Sequence, residues 1–304
     1  MADVDLQKAK KISIRDWHTI RERWIDHVPT FASPGIPPEL ELCELPSVDE
    51  RLNLEKKQTV TIKDNLPGLR QGVLHEGIYL FHKAAHIFGA SLLHVESGLC
   101  TWSLSSAYQS AYFAMKSILC LLGVSIVDSQ TRGIFLVDVW HTEDRHQKRQ
   151  KDPIVFMYNS GKIEHGQLWA CFQRAVDVTS NHESICAASF RRGLLGVEPN
   201  EFADQRNRLH YKNVWRFGDL HAALIQNQFG RITSGELDSE QDDFLVVLAF
   251  GLIHMGRHML GELAKSSAPI QEETALVDTW LNQPFNRLYG ENSAVMNSTL
   301  VTEI

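Results

Sequence analysis

The chain has 304 residues, 43% of them hydrophobic and 22% charged, the composition of an ordinary soluble globular protein with room for one large or two ordinary domains. A formal net charge of −7 excludes a protein that coats nucleic acid indiscriminately. No window reads as the roughly 18 apolar residues of a membrane span, because the richest, Phe244 to Ile253, is broken by His254 and Arg257.

The N-terminus, MADVDLQKAKKISIRDW, lacks the apolar run of a signal peptide, so the expected location is the cytoplasm, with no membrane contact. Residues 1–68 read as an extended arm. Ile14 to Trp24 has the pattern of a short helix. A loop follows that carries Pro29, Pro34, Pro37, Pro38 and Pro46 and cannot hold a long helix. Lys57 to Ile62 alternates like a strand. The arm is too apolar for a pure linker and should pack along the main domain or a partner.

Residues 69–265 form the main domain. Leu74, Ile78, Phe81, Ala85, Phe88 and Leu92 step by four and three, an amphipathic helix ended by Gly98. Tyr108, Ala111, Met115, Ile118 and Leu122 mark a second, from Ser103 as its cap to Gly123 as its stop. The two should form an antiparallel hairpin. At about 132–160 the pattern changes: GIFLVDVW and PIVFMY are short β-branched and aromatic runs, and Asn159-Ser160-Gly161-Lys162 reads as a turn. A small β-hairpin insertion is expected there. Further helices are expected over His165 to Val178, Ser184 to Leu194, and from Pro199 through Tyr211. A long one follows Ser239, with acids in its first turn favouring the helix dipole. Residues 266–304 read as a C-terminal helix around Val277 and a polar tail. The fold class is mainly α.

Cys43, Cys100, Cys120, Cys171 and Cys186 are scattered, with no Cys-x-x-Cys, so they read as reduced core fillers. Charge is uneven. Arg191, Arg192, Arg206, Arg208, Lys212 and Arg216 stand against Glu198, Glu201 and Asp204, whereas from Glu236 onward eleven acidic residues face Arg257, Lys265 and Arg287. A local basic patch on an acidic protein fits a focused anionic ligand, and a solvated face has the same look.

The stretch with the most chemistry is Arg206-Asn207-Arg208-Leu209-His210-Tyr211. It sets a permanent cation, an amide and a titratable imidazole side by side. Arg206 and His210 are four apart, one helical turn along the same face, and Phe202 and Leu209 place that face at a core edge. By residue types alone the hexad reads first as a surface charge cluster or a buried Arg paired with an acid, and only then as a metal-free phosphate-handling site.

Two features together point further. SSAYQSAYFAMKSILCLLGV (Ser105 to Val124) resembles the second helix of HEPN domains in its small–Tyr–small–aromatic rhythm and terminal Leu-Leu-Gly. RNRLHY resembles the Arg-Asn…His element near the end of that fold. A helix entry with Gly161, His165, Gly166 and Trp169 fits the same scheme, and the resemblance covers about Leu74 to Leu263. It implies a helical bundle that dimerises, with the Arg/His elements of two copies facing one cleft. It also implies a metal-independent endoribonuclease of a defence or toxin system, with RNA as ligand, no cofactor, and an antitoxin or defence partner. Arg206 would hold the phosphate, His210 would act as general acid/base, Asn207 would orient a phosphate oxygen or the Arg, and Tyr211 would stack at the rim. Arg208, Lys212, Arg191 and Arg192 would bind flanking phosphates. The family's active members place four to six residues between Arg and His; here three intervene. A bulge or frayed end would compensate; otherwise the site is degenerate and the module binds a nucleotide or a partner protein without catalysis.

Rival constellations are weaker. His82/His86 and His254/His258 have the i, i+4 spacing that grips a metal, but no third ligand is apparent. Asp138, His141, Glu143, Asp144 and His146 cluster after a strand, as in a metal-dependent hydrolase, or as a charged loop at the tip of the insertion.

Overall fold

A computed structural model describes residues 10–27, 54–62, 68–129, 133–142, 154–181, 183, 185–211, 227 and 244–289. Its described part is mainly helical, with a small antiparallel sheet. The helical centre is the hairpin of α2 (Leu69–Glu96) and α3 (Cys100–Leu121), turned at Gly98 in the left-handed region (φ 72°). The expected stripe of α2 is buried. What closes the pair is a recurrence of small residues every seven positions. Ser117 donates to the Gly77 carbonyl (2.6 Å), Ser110 to that of Ala84 (2.9 Å), and Ser91 to that of Ser103 (2.8 Å). A Cβ on Gly77 would stand 3.0 Å from that of Cys120, so the glycine permits the close approach. Ser103 is therefore a buried contact inside α3, whose cap is Leu99, four residues before the one its capping chemistry predicts.

The chain from Val124 to Asn159 is more than a hairpin. Strands β3 (Val124–Ser129), β4 (Gly133–His141) and β5 (Ile154–Asn159) pair antiparallel, and β2 (Thr59–Ile62) of the arm adds to β5 with Thr59 opposite Tyr158. The sheet order is β2-β5-β4-β3. Gly123 makes the turn from α3 into β3 at φ 85°, where a side chain would run into the Trp140 ring.

The described part of the arm belongs to the core. Strand β1 (Arg15–Asp16) pairs parallel with β6 (Thr179–Ser180) and leads into α1 (Trp17–His27). Asp16 caps α1, its Oδ1 accepting from the Thr19 amide (2.9 Å) and hydroxyl (2.8 Å). Trp17, Ile20 and Trp24 are buried, and the Trp24 indole donates to the Leu121 carbonyl (2.7 Å). The Pro-rich loop lies outside the described residues.

Helix α4 (His165–Asp177) follows β5, then come α5 (Ala188–Gly196), α6 (Pro199–Tyr211), α7 (Phe244–Ala264) and α8 (Ala268–Tyr289). Arg257 of α7 forks onto Asp278 of α8 through two 2.7 Å bonds. Among the described residues α7 is the one helix long and apolar enough to cross a bilayer; His254 and Arg257 dilute its hydropathy without undoing it. Of its most apolar window 61% is buried inside the molecule. The acids expected in its first turn lie outside the described residues.

Candidate functional site

The helix that carries the Arg/His element is held by residues far from it in sequence. Phe202 of α6 is fully buried, stacked on Trp169 of α4 with centroids 4.2 Å apart and planes 16° apart, and it meets Phe244 at 5.6 Å. Gly166, one turn before Trp169, lets α6 approach: any Cβ there would sit 2.1 Å from Asn200 Oδ1. His165 stacks on Tyr112 of α3 at 5.0 Å, and Glu164 with Gln167 closes a capping box at the start of α4. Gly161 makes the preceding turn at φ 70°. Of this entry, Gly166 and Trp169 thus form the docking surface for α6, while His165 packs on α3 and Gly161 makes the turn.

Helix α6 runs unbroken to Tyr211. No bulge intervenes, so Phe202, Arg206 and His210 follow one another turn by turn along a stripe that drifts by about 40° per step. Asn207 beside it is half-buried and Arg208 is exposed. The side chains of Arg206, Leu209, His210 and Tyr211, and the whole of Lys212, lie outside the described residues. Arg191 and Arg192 belong to α5. Arg192 is exposed, whereas Arg191 is committed to the end of α4, donating to the Asp177 carbonyl (3.0 Å) beside its carboxylate (3.7 Å).

The acidic/histidine cluster of the insertion does not form a surface site at Asp138. That carboxylate is wholly buried: Arg15 Nη2 donates to it at 2.5 Å, Ser13 Oγ lies at 3.3 Å and His141 Nδ1 at 3.4 Å. Arg15 also donates to the carbonyls of Leu122 (2.7 Å) and Ser13 (3.1 Å). Burial pushes the Asp138 carboxyl up, but Arg15 and then His141 outweigh it and hold it below the ordinary value. Two further guanidiniums lie close by. Burial lowers Arg23, against the pull of Asp138; burial and then the Arg23 charge bring Arg70 down to about 10 as it lies 4.7 Å over the Trp140 ring. Sequence reading found none of this, since Arg15 and Asp138 lie 123 residues apart with no local signal. Glu143, Asp144 and His146 lie outside the described residues.

The histidine pairs have other duties. His82 faces Glu273 of α8 at 3.2 Å, and burial keeps its imidazole below the usual range despite that carboxylate. His254 is nine-tenths buried against Phe250 (4.2 Å), and burial, then Arg257 and His258, bring it down to about 4. Among the described residues no three His, Cys, Asp or Glu side chains converge as a metal site. Because the folded state disfavours the charged imidazole, His254 costs nothing above the unfolded value near 6.5. It removes stability as pH falls from there to about 4. Melting curves over that window should flatten in His254→Leu relative to wild type.

The four described cysteines, Cys100, Cys120, Cys171 and Cys186, are free and buried, in keeping with core fillers. Comparison with protein families, with curated proteins and with solved structures finds nothing that matches this chain.

Proposed function

We propose that the chain is a HEPN-like protein that cleaves RNA without a metal, using Arg206 and His210 in a cleft completed by a second copy. The observation that supports the reading is the anchoring of α6: Phe202, stacked on Trp169, and the close approach at Gly166 pin the helix on which Arg206 and His210 lie four residues apart. In the reaction the RNA 2′-hydroxyl attacks the adjacent phosphorus and the 5′-oxygen leaves. The products are a 2′,3′-cyclic phosphate and a 5′-hydroxyl. His210 moves the proton, taking it from the 2′-hydroxyl or giving it to the leaving oxygen, tasks suited to an imidazole because that group titrates near neutral pH. Arg206 offsets charge growing on the phosphate oxygens. Asn207 orients them and Tyr211 stacks at the rim. Arg192 and Arg208, both exposed, serve flanking phosphates with Lys212, while Arg191 is occupied by Asp177. A defence or toxin setting follows from the resemblance.

Incubation with mixed RNA in EDTA tests the reading. Wild type should yield cyclic-phosphate ends, and Arg206→Ala and His210→Ala should each be slower by about a hundredfold or more at unchanged melting temperature. Equal cleavage by all three proteins would end the catalytic reading.

One observation favours a second reading. With three residues between Arg and His and no bulge in α6, the longer spacing of active HEPN members is not restored. A non-catalytic module that binds a nucleotide or partner then remains. In that case no protein cleaves, and the same two substitutions lower the melting temperature or dissociate the assembly.

A further inference from the structure

An open cavity of about 420 Å³ lies beside the C-terminal half of α4. Its polar wall is Lys10, Gln173, Arg174 and Asp177, and its apolar floor includes Leu195 and Pro199. The volume falls in the range of small-molecule sites, roughly 300–1,000 Å³. The charges around it do not balance. Asp177 is the carboxylate of the wall, and two guanidiniums divide it: Arg174 Nη1 lies 2.9 Å from Oδ2, and Arg191 Nη2 lies 3.7 Å from Oδ1. Arg191 also donates to the Asp177 carbonyl, which quenches the negative end of the α4 dipole where an anion would meet it. Among the lining residues, two cations, Lys10 and Arg174, thus stand against one acid.

The donors are unspent as well as in surplus. Arg174 commits Nη1 to Asp177 (2.9 Å), and its side chain remains 39% exposed. Lys10 is exposed and makes no ion pair among them. Gln173 is not a free ligand, because its amide donates to the carbonyls of Leu194 and Val197 (2.7 Å each) and braces the wall. An ammonium and a guanidinium fork facing one hollow make a phosphate-shaped donor set. An apolar floor beside it suits the face of a base or sugar.

We infer that this cavity binds the phosphate of a nucleotide, with Lys10 and Arg174 on its oxygens and the Leu195–Pro199 floor against the nucleoside. The site is distinct from the Arg206/His210 element and does not rest on cleavage there. The phosphate comes from a free nucleotide or from an RNA strand, and the probes separate the two. Titrations at low salt with uridine 5′-monophosphate, inorganic phosphate and an oligouridylate should show saturable binding. Lys10→Gln/Arg174→Gln should weaken it by about tenfold or more. A charge-matched control, Lys162→Gln/Lys265→Gln, changes two exposed lysines elsewhere and should stay within about twofold. Tighter binding of the monophosphate marks a nucleotide site, and tighter binding of the oligomer marks a nucleic-acid one. Lys10→Gln alone, at an exposed residue outside any helix, repeats the test should the double variant fold poorly. No saturable binding of any probe, or equal losses in the test and control variants, would overturn the inference, whatever the outcome of the cleavage assay.

Discussion

Asp138→Ala should lose about 3–5 kcal/mol of unfolding free energy near neutral pH, because it strands the buried Arg15 guanidinium without its counter-charge. Urea denaturation checks the value. The pair as such need not be stabilising, since desolvating both ions offsets their attraction. An apolar replacement of both partners, Arg15→Met/Asp138→Leu, should therefore recover much of the loss. The pH dependence follows from the depressed carboxyl. Its contribution is fully present above the unfolded value near 3.9 and disappears as pH falls through the lower folded value. Wild type should thus lose an increment of stability in strong acid that Asp138→Ala does not have to lose. Equal acid profiles for the two proteins would refute that assignment.

Phe202→Ala should cost a similar amount, about 3–5 kcal/mol, by emptying the space between Trp169 and Phe244. Its particular signature is local. Amide exchange in α6 should rise more than in the α2/α3 hairpin, because Phe202 is the described side chain of α6 that is fully buried. Phe202→Leu keeps most of the volume and should retain most of the protection. Uniform loss of protection across the bundle would show that α6 is not anchored in this way.

The helix hairpin was legible because both stripes are long and strictly periodic. The start of α3 was not: Ser103 has the chemistry of a cap, yet its place in the seven-residue series puts it opposite Ser91. The sheet was legible only in part. The runs of β4 and β5 announce themselves, whereas VSIVDS after Gly123 is short and mixed, and its strand state comes from pairing with β4. Of the site, the register of Arg206 and His210 could be counted off the sequence, and so could the unusual glycine at 166. That Gly166 exists to admit Asn200, and that Lys10 borders a hollow with Arg174, are facts of tertiary approach that no local pattern carries.

The early segment from Ile12 to His27 is stitched to late ones, and this has a consequence for synthesis. Arg21 bonds to Glu262, 241 residues downstream. At a translation rate of about 5–20 residues per second, that partner leaves the ribosome on the order of 10–50 s afterwards. Over that interval Trp17, Ile20 and Trp24, buried in the finished fold, stand without their full cover. Until α7 is made, α1 lacks that neighbour.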